Sequence, residues 1–266
     1  MNADDTLERW AADYVLSTDR ESKFTLASPP RATMHDGGPR RIASPGRPAS
    51  LVINSFAEKS PGRDSLRIPT RRARLLHTFL HHELQAAELM CWAILAFSDT
   101  PMSFRNGLAA IARDEVRHMN LYREHIVSLG HDYGDFPVRD WFWERVPNAP
   151  TAVHFVATLG LGFEGANLDH TVRWRDRFRD AGDERAAEIQ DIVCEEEIPH
   201  VRFALHWFRA WTGGSDFAVW SEHLVPPLSP TLMRGKPIRR EMRLQAGLSE
   251  TFLDELAAWR EIVSGS

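Results

Sequence analysis

The sequence predicts an all-α protein built on a four-helix bundle: two antiparallel hairpins joined by a long crossover, with an irregular N-terminal arm and extra short helices. Three observations carry this expectation. Four segments of about 30 residues hold apolar side chains at helical spacing. The connections within the first pair and within the second are only a few residues long, and a stretch of about 20 residues separates the pairs. The length, 266 residues, suits one large domain or two small ones, and 43% hydrophobic with 26% charged residues argues against a mainly disordered chain.

A short amphipathic helix is expected from Asp4 to Val15, with Leu7, Trp10, Ala11 and Tyr14 on one face. From Ser17 to Ile68 the chain is rich in Pro, Gly, Ser and Arg, with one apolar run at Leu51 to Phe56 and no sustained period. This reads as an irregular arm that wraps over the core or is partly disordered. The first long helix runs from Thr70 to Phe97. The second starts at Thr100-Pro101, with Thr100 as N-cap and Pro101 at the first helical position, and Gly130 stops it. The third runs from Pro150 to Gly182 and the fourth from Asp183 to Gly213, whose glycine favours a left-handed cap. A lesser helix spans Ser249 to Val263. These elements divide the chain into 1–69, 70–213 and 214–266. A helix of roughly 28 residues is about 42 Å long and a 20-residue linker reaches about 66 Å, so Gly130 to Ala149 can cross a bundle end to end. Two hairpins with one such crossover give the ferritin-type topology rather than up-down-up-down.

The net charge of −5 supplies no global field for nucleic acid or anionic membrane. Cys91 and Cys194 form no C-x-x-C spacing, which speaks against a disulfide framework or a zinc ribbon. The start, MNADDTLERW, is acidic where a secretory signal is basic, and no apolar run reaches membrane-spanning length. A soluble, cytoplasmic protein is the expectation.

Each long helix carries a Glu on an otherwise apolar face, and two add a His three residues on. Glu83 aligns with Leu76, Leu80, Ala87 and Met90; Glu115 and His118 align with Leu108, Ile111 and Tyr122. Glu164 aligns with Ala157, Leu161 and Leu168; Glu197 and His200 align with Val193, Val201 and Ala204. Glu83 and Glu115 are 32 residues apart, Glu164 and Glu197 are 33 apart, and the two halves repeat at an offset of 81 or 82. The i, i+3 spacing aims a carboxylate and an imidazole at one point. A single Glu-x-x-His on a helix is usually a solvated pair; four glutamates in register are not. Buried together they repel and lose hydration, which divalent cations offset. Two metal ions in a Glu4His2 shell follow, with iron or manganese suiting hard carboxylates and imidazoles. Glu88 is the alternative ligand on the first long helix, on a stripe with His81, Leu84, Trp92 and Leu95.

Pro199 inside the second Glu-x-x-His predicts a kink or a π-bulge in the fourth helix. Gly160, Gly162 and Gly165 beside Glu164 either open a small cavity for oxygen or substrate or allow close helix packing. Gly160 to Gly165 also matches G-x-G-x-x-G, but it lacks a βαβ setting, and Glu164 would repel a pyrophosphate. His82-Glu83-Leu84-Gln85-Ala86 lacks the second His of a zinc protease motif. His77, His81 and His82 point in diverging directions and suit surface or packing roles. Trp141, Trp143, Trp207 and Trp211 suit core and lid packing. Tyr122, one turn after His118, is a candidate radical or proton-relay residue, against the more common role of a core tyrosine.

The Glu and Glu-x-x-His pattern, used twice, resembles the ferritin-like di-iron carboxylate superfamily. More narrowly, His82 to Ala86, Asp114-Glu115-Val116-Arg117-His118 and Phe163-Glu164-Gly165-Ala166-Asn167 resemble the family catalogued as domain of unknown function four-five-five. The likeness covers residues 70 to 212 and, more weakly, Lys23 to Pro30. It implies that acidic residues before the Glu-x-x-His glutamates, Asp114 and Glu196, hydrogen-bond the histidine of the opposite motif. Glu196 departs from the usual Asp. The superfamily includes hydroxylases, reductase small subunits, rubrerythrins and ferritins. The leading expectation is therefore an O2- or peroxide-activating oxidoreductase acting on a small molecule with a separate electron donor. Iron storage, detoxification or sensing is the alternative. RNA modification is a further one, resting on tRNA-hydroxylase relatives and the arginines at 71–74 and 234–243. Self-association into a homo-oligomer is compatible with the sequence.

Overall fold

The computed structural model describes residues 6–31, 38–54 and 62–261. Asp4, Phe56 and Val263, expected in the first helix, the arm's apolar run and the last helix, lie outside them. Among the described residues the protein is all-helical, apart from one parallel bridge between Ile53 and Val138. None of these helices is long and apolar enough to cross a membrane. The chain forms two compact units, Met1–Pro147 with Arg177–Ile189 and Asn148–Asp176 with Gln190–Ser266.

In the first unit, α1 (Leu7–Leu16) is capped by the Thr6 hydroxyl, which accepts from the Arg9 amide. A single turn, α2 (Arg20–Lys23), follows. The long helices α3 (Pro69–Ala96) and α4 (Met102–Ser128) pack together, and α1 packs on α3. The expected Thr100 cap is not formed. Pro101 keeps an extended backbone (φ −53°, ψ 142°), so α4 starts one residue later, and the Thr100 hydroxyl donates to the Phe97 carbonyl (2.6 Å). Gly130 (φ 85°) ends α4 as expected: its N–H bonds the Val127 carbonyl and that of His131 the Ile126 carbonyl, the Schellman pattern.

The chain after α4 lies along α3. His77 stacks on Tyr133 and its Nε2 accepts from the Gly134 N–H (2.9 Å). His81 spans the Tyr133 hydroxyl (2.8 Å) and Asp140 (3.0 Å), and His82 stacks on Phe142. Gln85 Oε1 accepts from the Phe142 N–H (2.9 Å). The three histidines thus have packing roles, with His77 and His81 buried.

The arm is sewn down by charge. Lys23, fully buried, donates to the last carbonyls of α1, Tyr14 (2.7 Å) and Val15 (3.0 Å), and to Glu88 Oε1 (2.9 Å). Arg47 joins Glu88 to Asp140, and the Trp143 indole donates to Glu88 Oε2 (2.9 Å). Burial works against the Asp140 carboxylate, but hydrogen bonds from His81 and Arg47 outweigh it and hold its pKa at about 2.

The second unit opens with the four-residue α5 (Ala152–Phe155) and a π-helical segment, Val156–Glu164, that continues into α6 (Gly165–Asp180). The sequence-based expectation of a π feature concerned Pro199; the π segment lies instead in the preceding long helix, and α7 (Glu184–Thr212) contains Pro199 without one. Three short helices follow, α8 (Phe217–Glu222), α9 (Arg240–Gln245) and α10 (Glu250–Ala258). α8 and the loop after it bond the π segment: the Trp220 indole donates to the Ala157 carbonyl (3.0 Å) and the Val225 N–H to Thr158 Oγ1 (3.0 Å).

Of the two roles expected for the glycine cluster, the structure supports close packing. A Cβ on Gly160 would stand 2.3 Å from the Ala204 Cβ, one on Gly162 2.6 Å from Met233 Sδ, and one on Gly165 3.3 Å from an Arg243 nitrogen. Gly160→Ala should therefore destabilise the protein by about 1–3 kcal/mol. Adding Ala204→Gly should restore most of the loss in a urea titration, and equal stability of the two variants would refute a direct clash. Arg243, also fully buried, clamps Asp169 through two hydrogen bonds (2.8 and 3.2 Å), and Asp169 further accepts from the Gly235 and Arg239 N–H groups.

Candidate metal centre

In the first unit, Glu83 on α3 and Glu115 with His118 on α4 are buried. A carboxylate oxygen or ring nitrogen from each lies within 4.8 Å of the others. Apolar neighbours bring them inside: Leu80, Leu84 and Ala87 around Glu83, and Ile111, Ala112 and Met119 around the Glu-x-x-His, are themselves buried. Nδ1 of His118 is 3.1 Å from Glu115 Oε2, with both side chains fully buried.

The second unit carries the same residue types, two glutamates and a histidine. Glu164 closes the π segment and is buried; Glu197 and His200 on α7 are buried, with His200 Nδ1 3.2 Å from Glu197 Oε2. Asn167 donates to Glu197 Oε1 (3.0 Å), fixing the carboxylate's orientation. Sequence reasoning assigned Asn167 no role, although it stands three residues after Glu164, the spacing of the Glu-x-x-His pairs.

The donor chemistry fits a divalent cation. Two ligands bound at about 2.1 Å and near a right angle are separated by roughly 3 Å, the spacing of both Nδ1 and Oε2 pairs. Carboxylate oxygens with one imidazole in each set suit iron or manganese better than a thiophilic ion.

Glu88 is committed elsewhere, between Lys23, Arg47 and Trp143. Asp114 and Glu196 are half-buried, and Asp114 accepts from Arg117 on the surface of α4 (3.1 Å). Tyr122 is buried with its ring edge-on to Phe79 (6.0 Å between centroids). Cys91 and Cys194 are free thiols, and burial pushes both above the usual thiol range. Four of the arginines that suggested RNA have intramolecular partners: Arg72 bonds Asp183, Arg234 the carbonyls at the end of α10, Arg240 Glu250 and Asp254, and Arg243 Asp169.

Each unit also holds an imidazole that folding keeps neutral. Burial, reinforced by neighbouring positive groups, pushes His77 and His170 down to about 4. Their folded pKa lies below the unfolded value of about 6.5, so the unfolded chain takes the proton first. The stabilisation is present above pH 6.5 and is lost as pH falls toward 4, by roughly 2–3 kcal/mol for each histidine. Urea titrations across this range should show a shallower slope for His77→Gln; an unchanged slope would refute the assignment.

The fold and these residues define an all-helical protein with a repeated set of two glutamates and one histidine. Residues 5–254 match the family described as protein of unknown function (DUF455), and the chain belongs to that family. It is 29% identical over 195 residues to an uncharacterized protein of Haemophilus influenzae, over 68% of this chain and 66% of that one. The chain thus spans just under two thirds of that relative's length. No solved structure matches it.

Proposed function

We propose that this protein is a ferritin-like, dinuclear metal oxidoreductase of the cytoplasm. In this reading Glu83, Glu115, His118, Glu164, Glu197 and His200 hold two divalent ions, iron first and manganese second. The observation that carries it is the convergence of buried Glu83, Glu115 and His118 ligand atoms within 4.8 Å, together with the second set of the same composition. Burying a carboxylate costs several kcal/mol unless its charge is answered. At Glu88 the answer is Lys23 and Arg47.

When bound, such a pair of ions supplies electrons to O2 or peroxide for hydroxylation or oxidation of a small molecule, with an external donor restoring them. The protein's own groups set the conditions. The two histidines present Nδ1 beside a carboxylate oxygen of the same helix, and Asn167 keeps Glu197 in one orientation. The glycine face before Glu164 packs closely against Ala204 and Met233. Tyr122, buried one turn beyond His118, is the candidate residue to hold or pass a proton.

The test is anaerobic loading with Fe(II) followed by O2 under an absorption spectrometer. The proposal expects rapid O2 uptake with a new near-ultraviolet or visible band. Fe(II) oxidation no faster than in buffer would overturn the oxidoreductase reading.

A further inference from the structure

His154, on α5, and His223, the residue that ends α8, form a pair in the second unit outside the glutamate sets. Their ring centroids are 5.2 Å apart and the planes are tilted by 51°. Each ring uses Nδ1 locally: His223 donates to the Val219 carbonyl (2.7 Å), and His154 meets the Thr151 hydroxyl (2.8 Å). The Val219 carbonyl only accepts, so it fixes the His223 proton on Nδ1 and leaves the Nε2 lone pair open. Among the described residues no hydrogen-bond partner meets either Nε2. Imidazoles held by Nδ1 to a carbonyl or hydroxyl, with Nε2 open, are in the arrangement that orients histidines toward a metal. Both side chains are half-buried, so neither ring is sealed from solvent. Burial, and then His223, hold His154 below the usual imidazole range, so it is in its ligating, neutral form at neutral pH.

The separation also matches. With a metal–nitrogen bond of about 2.1 Å and about 1.1 Å more to the ring centre, two imidazoles at a tetrahedral angle have centroids about 5.2 Å apart.

We propose that His154 and His223 form a second, two-imidazole site for one late first-row divalent cation, of the Zn2+, Ni2+ and Cu2+ class. The site is independent of the glutamate-rich centre, whose donors suit harder ions. By joining α5 to the end of α8 it would clip the segment whose Trp220 indole bonds the Ala157 carbonyl at the start of the π segment.

The experiment is Cu2+ titration of the metal-stripped full chain, followed by calorimetry and by electron paramagnetic resonance. The wild type and His154→Gln, His223→Gln and double variants are compared. The proposal expects the double variant to lose one equivalent of Cu2+ together with its nitrogen hyperfine signal. Each single variant should weaken that equivalent by at least about tenfold, with helicity unchanged. Circular dichroism before metal addition verifies that the variants are folded. Unchanged stoichiometry and spectrum in the folded double variant would overturn the site. So would single variants that bind as the wild type does, which would mean the rings act separately.

Discussion

Replacing Glu115 or Glu197 by alanine should strip at least one metal equivalent per chain while leaving the helix content intact. Each change removes a carboxylate whose oxygen lies 3.1 or 3.2 Å from its partner histidine, so one position of the ion loses a charged ligand and the imidazole loses the group beside it. The core around them is Leu, Ile, Ala, Val and Met, which holds the helices together. The measurement is metal content after loading and gel filtration, alongside circular dichroism. Both variants retaining the wild-type load would mean that the ligand set is wrong.

Glu88→Ala should have the opposite profile, a loss of about 3–5 kcal/mol in stability with the metal load unchanged. Glu88 joins Lys23, whose side chain is entirely buried, to Arg47 and the Trp143 indole. Without it, Lys23 keeps the Tyr14 and Val15 carbonyls but has lost its countercharge, and an indole N–H loses its acceptor. Glu83→Ala makes the comparison, because it should cost metal. Urea unfolding with metal analysis on both variants separates the two glutamates of α3. A Glu88 variant that loses metal and keeps its stability would reverse the assignment.

The long helices were legible in the sequence because their ends and faces are written locally. Gly130, Gly182 and Gly213 take positive φ at the helix ends, where only glycine is at ease. The repeated Glu and Glu-x-x-His pattern likewise needs nothing but spacing, and the residues it picked out are buried. The π segment was not legible, since its shift in hydrogen-bond register leaves the apolar pattern of 156–164 reading as ordinary helix. What lies over the glycines was hidden too: Met233 and Arg243 arrive from about 70 residues further along, from a region whose arginines read as a basic cluster. The Lys23, Arg47, Glu88 and Asp140 network joins residues 41 to 93 positions apart, three of them in stretches that read as irregular or linking. No periodicity carries such pairings, because they are made by a chain without regular structure lying on a helix.

The measurement that tests the metal-centre account most directly is elemental analysis of the full chain after anaerobic Fe(II) loading and removal of free metal. The account predicts close to two ions per chain, bound through the two sets of glutamates and histidine. A chain that retains no metal after loading would contradict it and leave the repeated glutamates as structural residues of a helical protein.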